Sequence, residues 1–181
     1  MKIALLGYSG SGKSTLAAFL GRCYNAPVLH LDAVHHLPGW QERPREEERA
    51  LVAAFLDAHD AWVIDGNYSK VHYERRLEEA DRIIMLLFPR FACLWRVWRR
   101  YRRYRGIARP DMAAGCEEKL DGEFIRWVLW AGRTRRARDR YRAVRNRYPE
   151  KVVVLRGQRA LDRYAREISR NAPLSGKEGP A

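Results

Sequence analysis

Five short apolar runs, each closed by a polar, glycine or proline turn, punctuate the chain. They cover residues 2–6, 28–31, 61–64, 82–87 and 152–155, ending respectively at Gly7, Asp32, Asp65-Gly66, Pro89 and Arg156-Gly157. The runs are continuous rather than alternating, the pattern of strands covered on both faces. Between them the apolar positions recur at helical spacing. Leu16, Ala17, Leu20 and Gly21 mark a helix over 13–23, and Leu51, Val52, Phe55 and Leu56 mark one over 46–59. A shorter helix is predicted over 73–80, and a basic, aromatic one over 91–105. A loop with Gly106, Pro110 and Gly115 follows, then a largely helical stretch over 124–148 and a closing helix over 160–170. Strands alternating with helices predict an α/β fold with a parallel sheet flanked by helices on both faces. No internal repeat is visible.

The chain has 181 residues, which suits one domain over 1–170, with an insertion at about 90–147 and a Pro-, Gly- and Ser-rich tail over 171–181 expected to fray. Its three cysteines, Cys23, Cys93 and Cys116, are far apart and form no CxxC pair, so a reducing compartment is expected rather than a disulfide or zinc scaffold. The longest apolar stretch, 83–98, is broken by Pro89 and carries Arg90 and Arg96, so no membrane span is expected, and the opening residues lack a signal-peptide core. A cytoplasmic protein is the expectation. The formal charge of +13 is uneven: residues 1–89 are near neutral at −2, whereas residues 90–147 hold 18 basic against 6 acidic residues, net +12. That segment suits a polyanion, either nucleic acid or a small polyphosphate.

The strongest motif is Gly7-Tyr8-Ser9-Gly10-Ser11-Gly12-Lys13-Ser14, which fits GxxxxGK[ST] between a predicted strand and a predicted helix. About 1% or fewer of random chains this long would carry a match. Its glycines let successive N–H groups cradle phosphate oxygens, and the helix start adds favourable partial charge. Lys13 reaches the β- and γ-phosphates, and Ser14 offers its hydroxyl to Mg²⁺. Ser11 and Thr15 complete the loop. Trp62-Val63-Ile64-Asp65 ends a strand in a carboxylate beside that loop, a second Mg²⁺ candidate, although many strands end in Asp-Gly turns. Asp32 ends the second strand at the sheet edge where α/β crevices form. It is either an acceptor-orienting base or an ordinary turn or cap residue. His30, His35 and His36 lie nearby at a spacing that suits supporting roles better than metal ligation. Trp40, Arg43 and Arg45 either line an acceptor site or form a plain loop. Arg96, Arg100 and Arg103 fall near one helical face.

These motifs stand in one order with others: His30-Leu31-Asp32, Pro38-Gly39-Trp40, Asp65-Gly66-Asn67-Tyr68, Ala80-Asp81, Pro89-Arg90, Arg109-Pro110-Asp111-Met112 and Gly115-Cys116. In this the chain resembles the bacterial DNA topology modulation protein family, relatives of adenylate kinase among the P-loop kinases, over about residues 1–145. The resemblance implies a P-loop NTPase fold with sheet order 2-3-1-4-5 and an Arg-rich lid after strand four. It implies that Gly7, Gly10, Gly12, Lys13, Ser14 and Thr15 bind ATP and Mg²⁺, with Arg96 and Arg100 bracketing the phosphates. Asp32, Trp40, Asp65, Asn67, Arg76 (or Arg75) and Arg109 would face a small acceptor. Asp111 would belong to the lid, and Arg133, Arg135, Arg136 and Arg138 would close from its far side. Leu86-Leu87-Phe88 stand where the family usually has an Asp near the end of strand four, before the Pro-Arg, so no carboxylate role transfers there. The function implied is an ATP-dependent phosphotransferase of the nucleotide-kinase type, with a nucleotide as the favoured acceptor. The alternative is an ATP-dependent DNA-binding regulator using the basic middle segment.

Overall fold

The structure is a computed structural model that describes residues 1–107, 111–113 and 115–171. Arg109, Pro110 and the tail beyond 171 lie outside the described residues. Five strands form one parallel sheet: β1 (Lys2–Gly7), β2 (Val28–His30), β3 (Trp62–Asp65), β4 (Arg82–Leu86) and β5 (Val152–Leu155). Their order is β2-β3-β1-β4-β5, the order the resemblance implies. Register pairs Leu5 with Asp65 on one side of β1 and with Ile84 on the other. The C-terminal ends of β1, β2 and β3 therefore line up at one edge of the sheet.

Period-two alternation sorts the apolar runs onto two cores. Ile3, Leu5, Val63, Ile84 and Leu86 face one side, against Leu16, Ala17 and Leu20 of α1 (Lys13–Tyr24) and Cys93 and Val97 of α5 (Arg90–Tyr104). Val128 of α6 (Gly122–Leu129) and the apolar stripe of α8 (Gln158–Asn171) complete that layer. Ala4, Leu6, Trp62, Ile64, Ile83 and Met85 face the other side. They meet Val52 and Leu56 of α3 (Arg45–Ala58), Leu77 of α4 (Tyr73–Glu79) and Val144 of α7 (Arg135–Arg147). Among the described residues no helix is long and apolar enough to cross a membrane.

Two local readings are corrected. The second strand stops at His30, because Leu31 opens a short helix, α2 (Leu31–His35), that carries Asp32; a two-stranded hairpin of His36–Leu37 and Gln41–Glu42 follows. The helix predicted over 124–148 is two helices. Trp130 leaves helical geometry (φ −134°, ψ −61°), Ala131–Arg133 forms a 3₁₀ turn, and the Thr134 side chain caps α7 by accepting from Ala137 N.

Candidate functional site

The loop from β1 to α1 is held open from beneath by side chains of four separate segments. Asn67 clasps Gly7 at both ends of its amide, accepting from Gly7 N at 3.0 Å and donating to Gly7 O at 2.6 Å. Tyr8 lies under the Arg133 guanidinium, whose Cζ is 3.9 Å from the ring centroid, and meets Tyr141 edge-on at 5.4 Å. Gly10 (φ 77°) sits so close to α5 that a Cβ there would come within 2.6 Å of Val97 and 2.7 Å of the Cys93 carbonyl. Arg96 donates to Ser11 O at 2.6 Å, hydrogen-bonds Gln158, and stacks on Phe88.

What the loop leaves unpaired is as telling as what it pairs. Gly12 is a left-handed N-cap with no side-chain cap on α1. Among the described residues, the N–H groups of Gly10, Gly12, Lys13, Ser14 and Thr15 have no hydrogen-bond acceptor. These are the orphan donors of a helix start, set in one concave turn. The Lys13 ammonium folds back across them onto Tyr8 O at 3.2 Å. Five converging donors, a helix N-terminus and a Lys ammonium make an anion cradle, and a polyphosphate suits it.

The cradle forms part of the wall of a crevice of about 1500 Å³. Gly10, Gly12, Lys13, Ser14, Thr15, Asp32, Trp40, Asn67, Arg96 and Arg100 all line it. Asp111 also lines it, whereas Gly7, Ser11, Asp65 and Arg76 do not, and Arg109 lies outside the described residues. Gly7 is engaged by Asn67, and Ser11 is fully buried with its N–H on Tyr8 O at 3.1 Å. Arg76, expected at an acceptor phosphate, is buried and spends its donors on the carbonyls of Val71, Gly66 and Tyr68 at 3.0, 3.3 and 2.6 Å. Asp65 is buried at the end of β3, with its Oδ2 3.2 Å from His30 Nδ1. Of the arginines expected in or around a lid, Arg100 pairs with buried Glu118 at 2.7 Å, and Arg133 donates to Phe88 O and Val128 O beneath the loop. Arg135, Arg136 and Arg138 are exposed on α7.

The crevice also holds Tyr68 and Glu48, to which the sequence assigned no role. Tyr68 donates to Asp32 Oδ1 at 2.8 Å. Burial, then the charges of Asp32, Glu48 and Glu42, hold that phenol far above its ordinary value, so it stays a donor. Glu48 lines the crevice, its side chain 4% exposed, with Oε2 3.3 Å from His35 Nδ1. Burial pulls the His30 imidazole down, yet Asp65, Asp111 and Asp32 outweigh it and hold it above its ordinary value. Trp40 donates to Glu117 O at 3.1 Å, and Trp127 caps the cradle through Ser9 Oγ at 3.1 Å. Glu48 sits within Glu46-Glu47-Glu48, where sequence alone cannot tell the inward carboxylate from its exposed neighbours.

No family model and no curated protein matches the chain. Solved structures do. TT1252 from Thermus thermophilus is 19% identical with a TM-score of 0.54, covering 97% of this chain and 98% of that one. A gluconokinase from Sinorhizobium meliloti 1021 is 17% identical at TM-score 0.49, covering 94% and 93%. Deoxyadenosine kinase from M. mycoides is 14% identical at 0.48, covering 94% and 97%. The first likeness supports the fold.

Proposed function

We propose that this chain is a P-loop phosphotransferase that moves the γ-phosphoryl group of ATP to a small acceptor. The observation that carries the reading is the cradle: five unpaired backbone donors and Lys13, preorganised by Asn67, Arg96 and Arg133. Phosphoryl transfer needs positioning and charge neutralisation above all, and a cradle of fixed donors supplies both. Gly10, Gly12, Lys13, Ser14 and Thr15 hold the triphosphate. Mg²⁺ suits the Ser14 hydroxyl, which lines the crevice at the helix start; when bound, it neutralises phosphate charge. Arg96 and Arg100 stand at the α5 wall facing the same space. Asp32, which lines the same crevice, is the base for a hydroxyl acceptor. The segment over 90–147 acts as the lid. The family resemblance favours a nucleotide acceptor, but Arg76, one of the two arginines it offers to an acceptor phosphate, is turned into the protein.

Two measurements test the reading. ATP at 100 times its Kd should stabilise the fold by about 2.7 kcal/mol, a melting shift of about 5–10 °C for a chain of this size. Lys13→Ala should lower acceptor-stimulated ADP release by about 10²–10³-fold, the usual cost of losing one charge-stabilising donor. Full turnover in the Lys13→Ala protein would overturn the assignment.

A further inference from the structure

We infer that the acceptor is a non-anionic, hydroxyl-rich small molecule, and that Glu48 binds it. The inference rests on the phosphotransfer reading above and concerns the acceptor groups of the same crevice. Three observations carry it. Glu48 is a buried carboxylate whose Oε1 has no hydrogen-bond partner, although it lines the crevice. Such an oxygen is costly unless a donor arrives to meet it. Asp32 uses Oδ1 on Tyr68, and its Oδ2 has no partner among the described residues. These unpartnered oxygens, that of Glu48 buried in the crevice wall, are acceptors, so they call for a ligand that donates.

A phosphate monoester donates little and carries negative charge into a wall that already holds Asp32 and Glu48. The raised His30 imidazole reports the same electronegative surroundings. Clamping a phosphate takes an arginine fixed for bidentate contact. Arg76 is committed to backbone carbonyls, Arg43 to Val34 O, and Arg49 to Lys70 O. Arg45 and Lys70, with Arg99, Arg103, Arg126 and Arg140 elsewhere along the lining, are exposed cations, and they define the competing outcome.

The step balances without a further reactant. The acceptor oxygen forms a bond to the γ-phosphorus as Asp32 takes the hydroxyl proton. The bond from phosphorus to the β–γ bridging oxygen breaks, ADP leaves with that electron pair, and Asp32 passes the proton to water.

Paired probes test this on the full chain: adenosine against AMP, cytidine against CMP, and glucose against glucose 6-phosphate, each read as ADP release with ATP and Mg²⁺. At least one neutral member should stimulate release tenfold or more over its phosphorylated partner. For that probe, Glu48→Gln should raise KM tenfold or more while lowering kcat less. Glu48→Asp, which keeps the charge but retracts it, should fall between, and covers the case in which the Gln variant misfolds. Faster transfer to the phosphorylated members, silence of all the neutral ones, or a KM that moves only with Arg45→Ala and Lys70→Ala would overturn it. If ATP itself gives no Lys13-dependent melting shift, the phosphotransfer reading fails instead.

Discussion

Arg75 and Arg76 are adjacent, chemically identical and opposite in fate. Arg75 reaches outward to Asp57 and Glu79, both at 2.6 Å, on an exposed face. Arg76 is 1% exposed and fastens the loop after β3 by three carbonyls, so that Gly66, Tyr68 and Val71 hang from one guanidinium. Burial lowers its pKa to about 10, with Tyr73 and Glu48 acting the other way, and it remains charged at neutral pH. Truncating it leaves those carbonyls unmet, and hydrogen bonds to charged donors are worth about 1.5–3 kcal/mol each. Part of that loss is offset by relief of a buried charge. Arg76→Ala should therefore cost about 3 kcal/mol, and the melting temperature should fall by about 6–12 °C. Arg75→Ala should cost about 1 kcal/mol or less, as exposed pairs do. Equal melting shifts in the two variants would contradict this division. Nothing in the sequence distinguishes the pair, because a helix pattern places both beside the same apolar positions and only the loop they meet differs.

At the scale of elements, α4 is tied to the sheet by one carboxylate. Glu79 accepts from Lys2 on β1 at 3.0 Å and from Arg75 at 2.6 Å. Burial pushes its carboxyl up, but the bonds and charges of Arg75 and Lys2 outweigh that and hold it below the ordinary 4.5. A carboxyl lowered in the folded state stabilises the fold above its unfolded pKa, and the gain is lost as pH falls through the folded value. Melting temperatures measured from pH 7 down to pH 3 should thus fall more steeply below about pH 4.5 in the native chain than in Glu79→Gln. Parallel curves would remove Glu79 as the cause. The strands themselves were legible almost to the residue, since a sheet covered on both faces demands unbroken apolar runs. The break between α6 and α7 was not, because apolar spacing continues across Trp127, Trp130 and Ala131. The signals for it, Gly132 and a Thr134 cap, are short-range and easily overridden. The cradle was legible because its chemistry is written in contiguous residues, whereas Glu48 and Tyr68 meet Asp32 only through the chain's return.

For the molecule as a whole, the question is where the basic segment puts its charge. The two arginine-rich helices belong to opposite layers: α5 packs Cys93 and Val97 on one face of the sheet, and α7 packs Val144 and Tyr141 on the other. Several of their cations are already engaged. Arg96 and Arg133 hold the loop between β1 and α1, Arg100 pairs with Glu118, and Arg147 reaches Glu74 and Glu78 at 2.7 and 2.8 Å. Others lie flat on aromatics, Arg99 over Trp95 and Arg102 over Trp98, on a face where Phe91, Trp95 and Trp98 are exposed. That face is what a DNA-binding reading must use, but it lacks the cations of α7. A net charge of +12 divided in this way offers a duplex a few phosphate contacts at a time rather than one continuous track. Each neutralised phosphate contributes about −0.9 to the slope of log affinity against log salt. Duplex DNA should therefore bind with a slope no steeper than about −4. Charge reversal at Arg102 and Arg105 should weaken binding by a step similar to reversal at Arg142 and Arg145, and neither pair should alter Lys13-dependent ADP release. A slope beyond about −6 that collapses on reversing α5 alone would instead mark a concentrated nucleic-acid surface, and the excess charge would then have a purpose separate from the crevice.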